Sequence, residues 1–120
     1  LRTFLGHLST VHGDGHPWTA FGLENLGEVQ WKLGRIDEAH RSYGQALTLL
    51  EKIFGADHVE VGFCLGKLAQ LYAEQGDVER AEGLFRRALA IHEAALPEDH
   101  AYRVEVAEGL AALTRARPAT

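Results

Sequence analysis

Apolar residues along this chain recur at helical spacing. Leu65, Leu68, Ala69 and Tyr72 follow the i, i+3, i+4, i+7 rule, and Ala81, Leu84, Phe85, Ala88 and Leu89 carry it one step further. Each stretch reads as an amphipathic helix with one buried stripe. Gly76 falls between these two helices and Gly34 between an earlier pair, where glycine can take the left-handed conformation that ends a helix. Asp37 and Asp77 then favour the start of the next helix. A turn this short makes the two helices antiparallel.

A second, longer period lies over the first. Residues 16–57 laid over residues 58–99 without gaps give identities at His16/His58, Phe21/Phe63, Leu23/Leu65, Leu26/Leu68, Gly34/Gly76, Ala39/Ala81, Ala46/Ala88, Leu47/Leu89, Glu51/Glu93 and Asp57/Asp99, an interval of 42. A fixed period of roughly 20–50 residues marks stacked helical or strand units that cannot bury their apolar faces alone. Small residues keep step as well: Gly27, Ala69 and Ala111 in the first helix, Ala39, Ala46, Ala81 and Ala88 in the second. Opposite them recur the bulky Tyr43 and Phe85, the alternation that lets layers interdigitate.

The succession L-x-x-L-[GA] in the first helix, glycine in the turn and A-x-x-x-[YF]-x-x-A in the second resembles the tetratricopeptide repeat. Its 42-residue interval exceeds the ~34 of the basic repeat. With the G-x-D-H turn, it is similar to the longer variant found in kinesin light chains and many bacterial proteins. The resemblance implies an all-α fold, a right-handed superhelix of antiparallel helix pairs forming one domain over residues 1–120. Residues 1–15 would be the second helix of a partial repeat and its turn. Residues 16–57 and 58–99 would be full repeats, and 100–117 the first helix of a further partial one. Tyr72 keeps the tyrosine usual in the first helix, whereas Gln30 and Thr114 replace it in the flanking units.

Composition narrows the function. With 46% apolar and 24% charged residues the chain is an ordinary globular sequence, and a net charge of −5 argues against nucleic acid, which needs clustered Lys and Arg. No apolar run approaches the ~20 residues of a membrane helix, and the first residues lack a signal peptide's layout. A single cysteine, Cys64, cannot form an internal disulfide and fits a reducing, cytoplasmic compartment. The absence of methionine and an apolar start without a capping signal read as a piece of a longer chain.

Candidate catalytic or metal-binding chemistry is sparse. His16, His58 and His100 repeat at the turn of every unit, which makes them turn components, with Asp57 and Asp99 placed to cap the following helix and Pro17 at a tolerated first-turn position. His12 and His16 have a zinc-like spacing, but two glycines and a proline oppose the helix it requires, and no further ligand completes a set. HEAAL at residues 92–96 lacks the second histidine of a metalloprotease motif, and GFCLGKL at 62–68 has the wrong spacing for a phosphate loop. No cofactor, no metal and no catalytic group is expected.

Binding is the remaining class. In tetratricopeptide stacks the first helices line the concave face, so the resemblance places Phe21, Glu24, Asn25, Glu28, Trp31, Lys32, Phe63, Lys67, Gln70, Glu74, Glu105, Glu108 and Arg115 in a groove for a partner peptide or helix. Many long-repeat members carry asparagine at each place occupied here by Asn25, Lys67 and Gly109. The acids among these thirteen outnumber the bases Lys32, Lys67 and Arg115, which favours an apolar partner segment with some positive charge. The expected role is a scaffold or adaptor. The alternatives are a regulatory arm of a larger nucleotide-switch protein, or a segment that self-associates through its exposed terminal helices. Packing between repeats is the competing reading of Phe21, Phe63 and Trp31.

Overall fold

A computed structural model describes residues 17–116. Over these residues the chain forms five α-helices: α1 (Pro17–Lys32), α2 (Ile36–Phe54), α3 (Val59–Glu74), α4 (Val78–Ala95) and α5 (Ala101–Ala116). Each helix packs on the next in sequence, and α3 also meets α5 directly. The first helices α1, α3 and α5 thereby form one layer and the second helices α2 and α4 the other. The expected all-α stack of helix pairs is what the chain forms. The expectations for residues 1–15, and for His12 and His16, lie outside the described residues.

The hairpins close through large-on-small contacts. The Tyr43 ring on α2 lies so close to Gly27 on α1 that a Cβ there would sit 3.1 Å from it. In the second pair Gly62 receives the His92 ring at 2.8 Å from the same imagined atom. Around these contacts Ala20, Ala39, Ala46, Leu50, Val61, Leu65, Leu71, Ala81 and Ala88 are sealed from solvent. Burying one such leucine stabilises the fold by roughly 2 kcal/mol.

The turns follow the glycines. Gly34 and Gly76 take φ of 79° and 83°, as the sequence implies, and Gly55 joins them at 96°, ending α2 with its N–H donating to the Glu51 carbonyl. Asp77 caps α4 by accepting from the Arg80 N–H at 3.2 Å. Asp37 does not cap: it lies inside the first turn of α2, where its charge still favours the positive end of the helix.

One assignment at the long turn is corrected. The caps of α3 and α5 are the histidines themselves and not Asp57 and Asp99. His58 Nδ1 accepts from the Glu60 N–H at 3.1 Å, and His100 Nδ1 from the Tyr102 N–H at 3.2 Å. An imidazole can serve as a cap because its bare ring nitrogen is an acceptor, provided the proton resides on Nε2. Neighbouring rings hold each imidazole in place, Phe54 stacked on His58 at 4.5 Å and Tyr102 beside His100 at 5.9 Å.

Polar ties run between repeats. Arg87 Nη2 on α4 donates to Glu51 Oε2 on α2 at 2.6 Å and to the Ala56 carbonyl at 3.2 Å. His40 on α2 pairs with Gln75 and lies 4.5 Å from the Tyr72 ring, over which Arg80 is placed. Cys64 on α3 is fully buried and donates to the Tyr43 carbonyl at 3.5 Å.

Two buried titratable side chains occupy the seams without adequate partners. His92, in the place held by Leu50 one repeat earlier, is fully buried with neither ring nitrogen hydrogen-bonded. Backbone groups of Gly62 and Tyr102 lie near it without hydrogen-bond geometry. Burial therefore lowers its pKa below the usual 6.5. Glu24, between α1 and α3, is nearly as enclosed, with Oε1 unpartnered. Burial pushes its pKa up to about 7, opposed by Lys67 and aided by Glu60.

Both the caps and the seams can be probed by unfolding. Replacing His58 by Ala removes the acceptor for α3 and is expected to cost about 1 kcal/mol in urea unfolding, while His58→Asn retains it; equal loss in both variants would reject the capping role. Below pH 6.5 the unfolded chain takes up a proton at His92 that the folded chain refuses, so stability falls on acidification. Between pH 4.5 and about 7 the unfolded chain ionises Glu24 while the folded chain does not, so stability falls on raising the pH. His92→Leu should therefore flatten the acid side of the profile. Glu24→Gln should gain on the order of 2 kcal/mol at pH 7.5 and nothing at pH 4. Urea midpoints at pH 4, 6 and 7.5 read both effects.

Candidate partner-binding groove

Along the layer of first helices two clefts abut. The first, of about 410 Å³, is lined by Glu28, Trp31 and Lys32 of α1, Tyr43 of α2, and Lys67 and Gln70 of α3. The second, of about 470 Å³, is lined by Trp31, Gln70, Ala73, Glu74, Phe85, Gly109, Ala112 and Leu113. Trp31 and Gln70 belong to both, so the clefts form one groove divided by the indole. Another hollow, about 820 Å³, lies instead against Leu26, Val29, Leu33 and Arg41. It is the stacking face of the first pair, because Leu26 stands where Leu68 meets the preceding repeat.

The indole is held at two points. Its ring stands edge-on to Tyr43 at 6.4 Å, and Nε1 donates to Glu74 Oε1 at 3.3 Å, tying α1 to α3. Gln70 Nε2 donates to Glu105 Oε1 on α5 at 2.6 Å, tying α3 to the last helix. Lys32 pairs with Glu28 at 3.5 Å along α1, an exposed pair of little energetic weight. The groove is thus built from an apolar floor with polar groups that partly satisfy one another.

The thirteen residues expected to line a groove distribute unevenly. Glu28, Trp31, Lys32, Lys67, Gln70 and Glu74 line one cleft or both. Phe21 and Phe63 line neither; Phe21 stacks on Phe54 at 6.5 Å, and Phe63 packs between His92 at 5.4 Å and Tyr102 at 4.5 Å. Glu24 is buried beneath the surface at the α1–α3 seam. Asn25 is exposed on α1, and Glu108 and Arg115 on α5, all outside both clefts, while Glu105 reaches the rim through Gln70.

Two residues that the repeat pattern marks only for packing also belong to the groove. Tyr43 and Phe85 underlie it, because rings reaching across onto small first-helix residues end beneath the clefts, almost wholly buried. Gly109 is the detectable signal. It breaks the series Asn25, Lys67, and a Cβ at that position would lie 2.8 Å from the Phe85 ring.

Burial drives the Cys64 pKa upward and Glu24 adds to the rise, so the thiol stays protonated and enclosed. Among the described residues no three His, Cys, Asp or Glu side chains converge on a point that could hold a metal ion. No described helix is long and apolar enough to cross a membrane.

Comparison with known proteins agrees with this architecture. A family model described as tetratricopeptide repeat matches residues 5–52 and 42–94. Protein clueless of Drosophila mojavensis is 33% identical over 81 residues, which are 68% of this chain and 5% of that protein. Protein KINESIN LIGHT CHAIN-RELATED 3 of Arabidopsis thaliana is 36% identical over 74 residues, 62% of this chain and 11% of that protein. This chain therefore corresponds to a small part of each relative. Among solved structures, BtubC (BKLC) from P. vanneervenii superposes with a TM-score of 0.83 at 24% identity, over 92% of this chain and 44% of that one. The long turn, the glycine-ended helices and the family match together place this chain in the tetratricopeptide repeat family.

Proposed function

We propose that this repeat segment is a scaffold whose inner groove takes an extended segment or a helix of another protein. A single observation supports this most directly: two clefts meet at the half-buried Trp31, over the buried rings of Tyr43 and Phe85, with Ala73, Ala112 and Leu113 as further apolar lining and polar groups around them. Rigid aromatics with a polar handle are the side chains that carry most binding energy at protein interfaces. Repeat proteins of this kind are protein-interaction modules, and the groove is where that role would be exercised.

Charge refines the partner. With Glu24 buried and Glu108 and Arg115 outside the clefts, Glu28 and Glu74, with Glu105 at the rim, stand against Lys32 and Lys67, so the field is weak and close to balanced. Apolar contact would then supply most of the affinity, with positive charge on the partner a secondary preference.

The reading is tested on an array of random 12-residue peptides. The wild-type protein should retain a subset of them with micromolar affinity, and Trp31→Ala should weaken that binding at least tenfold while far-ultraviolet circular dichroism stays helical. Phe21→Leu, which alters only the ring stack beyond the groove, should leave binding within twofold. Retention unchanged in Trp31→Ala would remove the groove as the binding surface.

A further inference from the structure

Trp31 divides the groove chemically as well as spatially. On its α2 side the cleft carries two ammonium groups, Lys32 and Lys67, against one carboxylate, Glu28. On its α5 side the described lining holds a single charged group, the carboxylate of Glu74, above the Phe85 ring and Leu113. A cleft with an apolar floor, an indole wall and one carboxylate is complementary to a single cation on an apolar stem.

Resting on the groove reading above, we infer that the cleft between Trp31 and α5 is a socket for one basic side chain, arginine or lysine, of the partner segment. The alkyl stem of such a side chain would cover Ala112 and Leu113, as long basic side chains do on apolar surface. The cationic head would meet Glu74 and the indole, since a tryptophan ring attracts a cation more strongly than the other aromatics.

The geometry prepares the site. Glu74 Oε1 accepts from Trp31 Nε1 at 3.3 Å, which fixes the carboxylate against the indole before any ligand arrives. Its second oxygen has no protein donor among the described residues and remains for an incoming N–H. The absence of a side chain at Gly109 keeps the floor open, because the place is filled by Phe85 and nothing projects above it. At the equivalent place one repeat earlier stands Lys67, whose ammonium would repel the same guest. The discrimination between the two clefts therefore comes from positions at which the repeats fall out of step, Lys67 against Gly109 and Lys32 against Glu74.

Positionally fixed libraries test it: random 12-residue peptides with the central residue held as Arg, norleucine or Glu, titrated against the protein by fluorescence anisotropy. The Arg library should bind about tenfold more tightly than the norleucine library and the Glu library more weakly than either. In Glu74→Gln, which keeps an acceptor for the indole but loses the charge, the Arg advantage should vanish while norleucine binding is unchanged. Equal binding of all three libraries to the wild type, with binding still lost in Trp31→Ala, would overturn the basic socket and leave the groove standing. Absence of binding by every library would overturn the groove together with the socket. An Arg advantage surviving in Glu74→Gln would place the cation elsewhere and refute the assignment.

Discussion

The structure depends on one steric constraint between layers: a large ring from a second helix must find a first-helix position with almost no side chain. Tyr43 finds Gly27, His92 finds Gly62, and Phe85 finds Gly109. The first two contacts close a helix pair, and the third crosses from one pair to the next, so no helix completes its packing alone. Closing the gap by even one methyl group at Gly62 or Gly109 would bring atoms within 3.0 Å, and the surrounding packed interior has little room to yield.

Most of the architecture is legible in the sequence because the determinants are local and repeated. Helical spacing at Leu65 to Tyr72, the small residues in step, and glycines at 34 and 76 need no tertiary knowledge to interpret. Choices between neighbouring residues competing for the same job are harder to read. In the turn Asp57-His58 an aspartate is the commoner cap, yet the chain enters α3 one residue later, so the imidazole reaches the free N–H groups. Asp37 and Asp77 look alike in sequence but sit two places apart in the repeat, and only the latter falls at a helix boundary.

The groove is less legible than the fold. Helix periodicity separates buried from exposed faces but does not tell which exposed residues converge, and so it groups Phe21 and Phe63 with Trp31 although they lie in ring stacks at the helix ends. Glu24 occupies the place of Glu108, but only Glu24 has a further helix pair beside it, and that neighbour turns a surface position into an enclosed one. The equivalence of repeats in sequence is thus broken by their order in the stack: identical positions differ in environment according to which helices pack beside them.

His58 and His100 illustrate how a regular row of side chains can suggest one chemistry and perform another. An imidazole coordinates a transition metal through a nitrogen lone pair, and on each of these rings the Nδ1 pair is already engaged by a backbone N–H. Coordination through Nδ1 would take that acceptor from the first turn of a helix, and the remaining nitrogen carries the hydrogen that this tautomer requires. Their even spacing along the chain therefore records where helices begin, and it leaves these rings poorly suited to serve as ligands while the stack is intact.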